Sequence, residues 1–243
     1  MSSHGNVAQG IPFLTKARVG TADLDRASNQ GLATRDFKNL HHAFFGRMLD
    51  LCVALLVLLA VLPVFIILCL AIWSHDGGRP IFAHRRVGRG NKLFPCLKLR
   101  TMVVDAEQRL QELLRSDPSA AFEWEMHQKL RNDPRITPLG AFLRKTSLDE
   151  LPQLINVLVG HMSLVGPRPI VVAEAPRYGR YFKFYCAVRP GITGLWQVSG
   201  RNDVSYRRRV AIDTLYVRSR SIFVDLAILI RTLPAVLSAR GCS

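Results

Sequence analysis

The stretch LCVALLVLLAVLPVFIILCLAIW, which runs from Leu51 to Trp73, contains no charged side chain. Because an α-helix rises about 1.5 Å per residue, a straight helix over this stretch would be about 34 Å long, enough to cross the hydrocarbon core of a bilayer. Pro63 lies near its middle, where it removes a backbone donor and disfavours helical geometry at Leu62. The stretch therefore predicts a membrane helix that either spans the bilayer or bends at Leu62–Pro63 and returns to the side from which it entered.

Basic residues flank the apolar stretch on both sides. They are Lys38 and Arg47 before it, and Arg79, Arg85, Arg86, Arg89 and Lys92 after it. Because segments rich in Lys and Arg tend to stay in the cytoplasm, both flanks favour the cytoplasmic face, the second more strongly. The residues alone leave the spanning and the re-entrant path equally open. Either path is expected to leave the larger, C-terminal part of the chain in the cytoplasm.

The composition joins a high positive charge to a high apolar content. The chain has 243 residues, with 33 Lys and Arg against 18 Asp and Glu, a formal net charge of +15 and a hydrophobic share of 49%. This share excludes a disordered charged chain, and basic nucleic-acid-binding proteins are normally more hydrophilic. The charge therefore predicts an anionic partner that also offers hydrocarbon, namely a membrane surface. We interpret the basic run 207–209 as a lipid-headgroup contact or a solvated face rather than a nucleic-acid site.

The rest of the chain alternates helical patterns with turn signals. Residues 80–101 predict a β-hairpin, because two strand-like runs flank a turn with two glycines and an asparagine. Apolar periodicity predicts helices over residues 105–115, 120–130, 148–159 and 221–237. The last of these is apolar but contains charged residues, which suits a helix at an interface better than a membrane span.

The segment Arg144-Lys-Thr-Ser-Leu-Asp-Glu-Leu-Pro-Gln153 carries the densest set of reactive side chains. Ser147 and Glu150 match a capping box, so one interpretation is that Glu150 only closes a helix start. The other interpretation is catalytic. An ionised Asp149 beside cations is a workable nucleophile toward phosphorus, and a neighbouring carboxylate can relay a proton.

Two further segments combine a constrained backbone with cationic side chains. In Gly166-Pro-Arg-Pro169 the prolines on either side of Arg168 present its guanidinium with little freedom to lose, which suits phosphate binding. In 189–201 three glycines allow close backbone approach beside Trp196 and Gln197. The first segment is equally compatible with a rigid turn, and the second with an ordinary connection that carries a core tryptophan.

Taken together, these segments resemble the bacterial sugar transferases, small monotopic phosphoglycosyl transferases that start surface-polysaccharide synthesis. The resemblance covers about residues 44–238 and rests on motifs that occur in one order. The motifs are Lys98-Leu-Arg-Thr-Met102, Asn132-Asp-Pro-Arg-Ile-Thr137, Leu143-Arg-Lys-Thr-Ser-Leu-Asp-Glu-Leu-Pro-Gln153, Met162-Ser-Leu-Val-Gly-Pro-Arg-Pro169 and Pro190-Gly-Ile-Thr-Gly-Leu-Trp-Gln197.

The resemblance implies the transfer of a hexose 1-phosphate from a UDP-sugar to a polyprenyl (undecaprenyl) phosphate, with release of UMP and a requirement for Mg²⁺. It implies that Asp149 is the nucleophile that forms a phosphosugar-aspartyl intermediate. It also implies that Glu150 assists with proton transfer or, together with Asp149, with the metal. The implied substrate-binding residues are Lys98, Arg100, Arg144, Pro167, Arg168, Gln197, Arg201 and Asp213.

The resemblance also implies the fold: a helix-dominated α+β monotopic membrane protein with a proline-broken re-entrant helix, a small β-hairpin and interfacial amphipathic helices. The expected parts are a mobile N-terminal tail over residues 1–40, the membrane helix over 44–76 and a catalytic domain over 77–238. We expect the active site at the cytoplasmic face of the bacterial inner membrane.

The sequence is most similar to family members that use UDP-galactose, with UDP-glucose next, and a homo-oligomer is conceivable. Two alternatives remain at this point. One is a conventional glycosyltransferase that releases UDP instead of UMP. The other is a non-enzymatic, membrane-tethered nucleic-acid binder, which the net charge of +15 would suit. The preferred interpretation expects no nucleic-acid partner.

Overall fold

The computed structural model describes residues 36–127, 130–199 and 205–237, and helices dominate these ranges. The helices are α1 (Asp36–Asp76), α2 (Ala106–Ser116), α3 (Pro118–His127), α4 (Pro138–Thr146), α5 (Gln153–Val159), α6 (Phe182–Ala187), α7 (Leu195–Val198), α8 (Tyr206–Ser219) and α9 (Ile222–Leu237). The strands are β1 (Ile81–Val87), β2 (Leu93–Leu99), β3 (Ser163–Val165) and β4 (Gly191–Thr193). The expected helix-dominated α+β class is confirmed. Residues 1–35 of the predicted tail lie outside the described residues.

Helix α1 contains the apolar stretch and continues through Pro63 as one element of 41 residues. Its part Phe44–Asp76 is long and apolar enough to cross a membrane, and only 11% of its most apolar window is buried. Large apolar side chains such as Leu56 and Ile67 are exposed along it. Such a surface is stable against lipid chains, which supports membrane association. The re-entrant path stays a prediction.

The predicted hairpin is confirmed. Strands β1 and β2 pair antiparallel from Ile81↔Leu99 to Val87↔Leu93. A short 3₁₀ turn over Arg89–Asn91 connects them, with Gly90 at a φ of 67°. That value lies in the left-handed region, where glycine pays no steric penalty.

A second, smaller sheet joins two of the motifs. Strands β3 and β4 pair in parallel, with Ser163 opposite Gly191 and Val165 opposite Thr193. A Cβ atom on Gly191 would lie 2.1 Å from the amide nitrogen of Gly166, so glycine is needed for this approach. The pairing places the segment that follows β3, Gly166–Pro169, beside the glycine-rich segment. Strands of three residues are too short to show a periodicity from which they could be predicted.

The predicted helix over residues 148–159 is wrong at its start. Residues Leu148–Glu150 form a 3₁₀ turn, and α5 begins only at Gln153. The reason is local: Ser147 has a φ of 58°, which turns the chain sharply after α4, and Pro152 lacks the N–H that a continuous helix would need there. The helices predicted near 105–115 and 221–237 are confirmed as α2 and α9. Helix α3 begins at Pro118 and is described to His127, whereas 128–129 lie outside the described residues.

Two apolar clusters hold these elements together. The first consists of the buried residues Val87, Ile170, Tyr178, Tyr185 and Val210 and joins the hairpin to α6 and α8. The second consists of Leu68, Ile72, Leu99 and Leu143 and joins α1 to β2 and α4. The C-terminal half of the apolar helix therefore packs directly against the strand that carries Lys98.

Polar residues near the start of the apolar part of α1 tie it to the sheet. Asp50 is buried and accepts hydrogen bonds from the Ser163 hydroxyl at 2.7 Å and from the Leu164 amide at 2.9 Å. The Arg47 guanidinium donates to the carbonyls of Val157 and Leu158 in the last turn of α5, at 2.8 and 3.2 Å. Charge-assisted bonds of this kind fix the position of the helix relative to β3.

Replacing Asp50 with alanine is expected to destabilise the protein. The change leaves the Ser163 hydroxyl and the Leu164 amide buried without their acceptor, which costs about 1–3 kcal/mol for each unsatisfied group. The thermal midpoint, measured by circular dichroism on the detergent-solubilised protein, should fall by at least about 4 °C, since 1 kcal/mol lowers it by about 2–4 °C in a chain of this size. Asp105→Ala is the matched control, because this carboxylate is exposed and its ion pair in the described part of the chain is with Arg109 of α2. Equal midpoints for the two variants would contradict the anchoring role.

Candidate active site

Lys98 connects the two carboxylates that the sequence singles out. Its ammonium group lies 3.0 Å from Asp149 Oδ2 and 2.8 Å from Glu150 Oε1. Lys98 comes from β2, and the carboxylates come from the 3₁₀ turn between α4 and α5. The Asp149 side chain is only 10% exposed, and those of Lys98 and Glu150 are 28% and 27% exposed. One cation thus stands between two adjacent anions at a half-buried site.

The local backbone explains why both carboxylates face β2. The left-handed conformation of Ser147 ends α4, and its amide donates to the Arg144 carbonyl at 3.2 Å. The capping-box interpretation is wrong, because the turn Leu148–Glu150 has no side-chain capping bond from Ser147. Glu150 instead accepts a hydrogen bond from Lys98.

Asn156 holds the strand that carries Lys98. Its side-chain amide donates to the Pro95 carbonyl at 2.7 Å, and its Oδ1 accepts from the Leu97 amide at 2.9 Å. The side chain therefore satisfies two backbone groups of β2 as a neighbouring strand would. The sequence analysis did not single out this residue. A polar side chain in the otherwise apolar run Leu-Ile-Asn-Val-Leu-Val was the available signal.

The environments of the two carboxylates drive their pKa values apart. Burial raises the pKa of Asp149 above its usual value, and the repulsion of Glu150 adds to this, although Lys98 and Arg144 act in the opposite sense. Burial alone would also raise the pKa of Glu150, but the charges of Lys98 and Arg168 hold it below its usual value. The result is a more basic Asp149 beside a Glu150 that remains ionised.

Two arginines border the carboxylate pair. Arg144 is fixed by a hydrogen bond from its Nε to the Thr101 hydroxyl at 2.9 Å, and its charge acts on Asp149. Arg168 is exposed between two buried prolines, as the sequence predicts, and its charge acts on Glu150. Lys98, Arg144 and Arg168 therefore surround Asp149 and Glu150 with an excess of positive charge. Such a site attracts and holds phosphate groups.

Arg86 was not singled out by the sequence analysis. Its guanidinium donates to the Pro169 carbonyl at 3.3 Å and lies 3.9 Å from a carboxylate oxygen of Glu174. It thereby supports the backbone that presents Arg168. Strand alternation was the available signal. Arg86 lies on the same face of β1 as the residue that pairs with Lys98, so the hairpin places Arg86 and Lys98 on one face.

Other predicted site residues make different contacts. Arg100 binds Asp76 and donates to the carbonyls of Ile72 and Gly78, so that it clamps the end of α1. Asp213 is buried and accepts a hydrogen bond from the Tyr178 hydroxyl at 2.8 Å, and burial raises its pKa to about 7. These contacts indicate structural roles for Arg100 and Asp213, and none of them involves Asp149.

The glycine-rich segment is only partly described. Pro167 is buried, and its carbonyl accepts a hydrogen bond from the Gly191 amide at 2.9 Å. Gln197 donates to the Ile192 carbonyl at 3.3 Å. Trp196 is buried, and the Arg209 guanidinium covers its ring at 4.8 Å, so that the tryptophan is a core residue. The predicted residue Arg201 lies outside the described residues.

The carboxylate pair offers oxygen atoms of the kind that bind Mg²⁺. The described residues contain no group of three or more His, Cys, Asp or Glu side chains that could hold a metal ion. Mg²⁺ usually binds one or two carboxylates, water and substrate phosphate oxygens, so a pair is sufficient in principle. Lys98 occupies Asp149 Oδ2 and Glu150 Oε1, and within the described chain Asp149 Oδ1 and Glu150 Oε2 accept no hydrogen bond. The donor set therefore fits the ion when a phosphate-bearing substrate completes it.

Comparisons with known proteins find similar sequences over about four fifths of the chain. A UDP-galactose-lipid carrier transferase of Erwinia amylovora is 53% identical over 198 residues, which cover 82% of this chain and 41% of that protein. An undecaprenyl-phosphate galactose phosphotransferase of Salmonella typhimurium is 52% identical over 198 residues, with the same two shares. The exopolysaccharide production protein ExoY of Sinorhizobium fredii is 49% identical over 195 residues, which cover 80% of this chain and 86% of that protein.

The chain thus spans about two fifths of the length of the first two relatives and most of the length of the third. The family model of the bacterial sugar transferases matches residues 41–239, which include every described element from β1 to α9. The chain belongs to the bacterial sugar transferase family.

Proposed function

We propose that the protein transfers galactose 1-phosphate from UDP-galactose to undecaprenyl phosphate and releases UMP, as the first step in the synthesis of an exopolysaccharide or another surface glycan. The observation that carries the proposal is the pair Asp149 and Glu150, bridged by Lys98 and bordered by Arg144 and Arg168. The names of two relatives, which refer to galactose and a lipid carrier, favour this sugar and this acceptor.

In the proposed first step, an ionised oxygen of Asp149 attacks the phosphorus that bears the sugar. The new O–P bond forms as the bond from this phosphorus to the bridging oxygen of the diphosphate breaks, and UMP leaves with that oxygen and its electron pair. In the second step, a phosphate oxygen of undecaprenyl phosphate attacks the same phosphorus and frees Asp149. The raised pKa makes the Asp149 oxygen a more basic nucleophile than an exposed aspartate.

In this reaction a carboxylate must approach a negatively charged diphosphate, and the cationic side chains would reduce the repulsion between them. Lys98, Arg144 and Arg168 would stabilise the charge that develops on the phosphate oxygens. Arg144 and Arg168 are pre-oriented, the first by Thr101 and the second by its two prolines, so little freedom is lost on binding. Mg²⁺, held by oxygens of Asp149 and Glu150, would supply further neutralisation of the diphosphate.

Membrane position would bring the acceptor to this site. Leu68 and Ile72 of α1 pack against Leu99 of β2, one residue beyond Lys98. An apolar helix in contact with the catalytic strand would hold the site near the headgroups, where a prenyl phosphate presents its polar end. We propose the cytoplasmic face of the inner membrane as the location, with α1 entering and leaving the bilayer on that side.

Asp149→Asn is expected to abolish turnover, because an amide is not a nucleophile toward phosphorus. The full-length protein in detergent, incubated with UDP-galactose, undecaprenyl phosphate and Mg²⁺, should release UMP, and the variant should be slower by at least about 10⁴-fold. Mass spectrometry of the active protein should find hexose phosphate attached to Asp149 when the acceptor is omitted. Asp105→Asn, the same change at an exposed carboxylate, should leave the rate unchanged.

Release of UDP instead of UMP would identify a conventional glycosyltransferase and refute the proposed chemistry. Substantial activity of Asp149→Asn would refute the nucleophile alone. A panel of UDP-sugars in the same assay tests the choice of galactose.

Lys98→Gln is expected to shift the pH dependence of the reaction. The charge of Lys98 lowers the pKa of Asp149, so its removal raises that pKa further, and the ionised nucleophile is then lost at a higher pH. The acid limb of the pH profile of kcat/KM should move to higher pH, and kcat/KM on the plateau should fall by roughly 10²-fold. Lys98→Arg keeps the charge and should keep the acid limb in place. A limb that does not move in the glutamine variant would disprove the coupling.

The re-entrant path of α1 predicts that both of its flanks lie in the cytoplasm. Single cysteines at positions 2 and 116 (Ser2→Cys and Ser116→Cys), introduced after the five native cysteines are changed to alanine, provide one reporter on each flank. In intact spheroplasts a membrane-impermeant maleimide should label neither, and after lysis it should label both. Labelling of only one of them in intact spheroplasts would show that α1 spans the membrane.

A further inference from the structure

A small basic pocket lies at the start of the apolar helix, apart from the carboxylate site. Its volume is about 40 Å³, and it is lined by Arg47, Asp50, Arg89, Ala187, Val188, Arg189 and Arg220. The four arginines carry four positive charges against the single negative charge of Asp50, a formal net charge of +3. None of these residues belongs to the group formed by Lys98, Asp149 and Glu150.

The contacts of the lining residues leave much of the positive charge uncompensated. The carboxylate of Asp50 is occupied by Ser163 and Leu164, and its nearest approach to Arg47 is 4.0 Å. Arg189 donates through Nε to the Gly160 carbonyl at 2.9 Å, a neutral partner. Among the described residues, the buried Nε of Arg220 has no hydrogen-bond partner. Buried donors of this kind normally have an acceptor, which an anion bound in the pocket would provide.

Repulsion between the arginines of the pocket also favours a bound anion. Burial lowers the pKa of Arg189, and the charges of Arg89, Arg47 and Arg220 lower it further, while Asp50 opposes them. Like charges held this close are costly unless a counter-charge is present. An anion bound between the guanidinium groups would remove this cost and would also accept hydrogen bonds from several of them.

Size and location define the anion. A water molecule needs about 10–15 Å³ of such space, so the pocket admits a few waters or one tetrahedral anion, but not a nucleotide. Guanidinium groups bind phosphate oxygens in pairs, which matches the lining. Arg47 and Asp50 lie in the first turns of the segment Phe44–Asp76, so the pocket lies at the start of the apolar helix, where phospholipid headgroups would meet it in a bilayer.

We propose that this pocket is a second phosphate-binding site, which takes a phosphate group at headgroup depth and so ties the start of α1 to the hairpin turn and to α8. Arg89 from the turn and Arg220 from the end of α8 would reach the phosphate together with Arg189. The proposal concerns residues outside the carboxylate site and does not rest on the proposed transferase reaction.

The test compares Arg89→Gln and Arg220→Gln with Arg115→Gln, which removes the same charge from an exposed position on α2 that does not line the pocket. The full-length protein is reconstituted in nanodiscs of phosphatidylcholine alone or with phosphatidylglycerol. Native mass spectrometry then measures how much phosphatidylglycerol is retained. In a second arm, inorganic phosphate is titrated against the thermal midpoint of the detergent-solubilised protein.

We expect the wild-type protein and Arg115→Gln to retain phosphatidylglycerol preferentially. The two pocket variants should bind it roughly 10- to 100-fold more weakly, the range expected for the loss of a charge-assisted hydrogen bond. If inorganic phosphate also stabilises the wild type but not the pocket variants, a free phosphate suffices. If the pocket variants differ from the wild type only in their binding of phosphatidylglycerol, the lipid headgroup is the ligand. Equal behaviour of all three variants toward both probes would overturn the proposal.

Discussion

The ammonium group of Lys98 lies between two carboxylates that are neighbours in the sequence, and the arrangement of the candidate site depends on this contact. Adjacent residues on a tight 3₁₀ turn cannot move apart, so Asp149 and Glu150 would repel each other at short range without a shared cation. The cation comes from a strand that is distant in sequence, so the position of that strand decides whether the pair is stable. Asn156 supplies the required constraint through two hydrogen bonds to the backbone of β2.

The membrane helix is coupled to the same strand, and this links depth in the bilayer to the chemistry. Arg47 and Asp50 fix the start of its apolar part to α5 and β3, its C-terminal half packs on Leu99, and Arg100 binds Asp76 at its end. Three separate contacts of different kinds leave α1 little freedom to tilt relative to the hairpin. The proposed phosphate pocket would add a contact from the lipid side at the first of these points.

Sequence patterns predicted the features that depend on local chemistry. The hairpin followed from a glycine-containing turn between two strand-like runs, and the presentation of Arg168 followed from the fixed φ angles of its prolines. The patterns failed for features that depend on contacts between residues distant in the sequence. Glu150 matches a capping box in sequence, yet its side chain accepts a hydrogen bond from Lys98 instead. The surroundings of Trp196 stayed open in the sequence, because Arg209, which covers its ring, comes from a helix that begins ten residues later. The parallel pair β3–β4 has only three residues in each strand, too few for any period to show.

The opposite pKa shifts of Asp149 and Glu150 are a consequence of this geometry and suit the two residues to different roles in the proposed reaction. Glu150 receives the charges of both Lys98 and Arg168, so it stays ionised and is a poor proton acceptor, which suits the role of metal ligand proposed for it. Burial and the charge of Glu150 raise the pKa of Asp149, so its oxygen is the more basic of the two and would be the better nucleophile. A symmetric environment would give both carboxylates the same reactivity. Arg168 helps to lower the pKa of Glu150, whereas Glu150 itself helps to raise the pKa of Asp149. The β3–β4 pairing that places Arg168 near the carboxylates would therefore matter for the proposed chemistry.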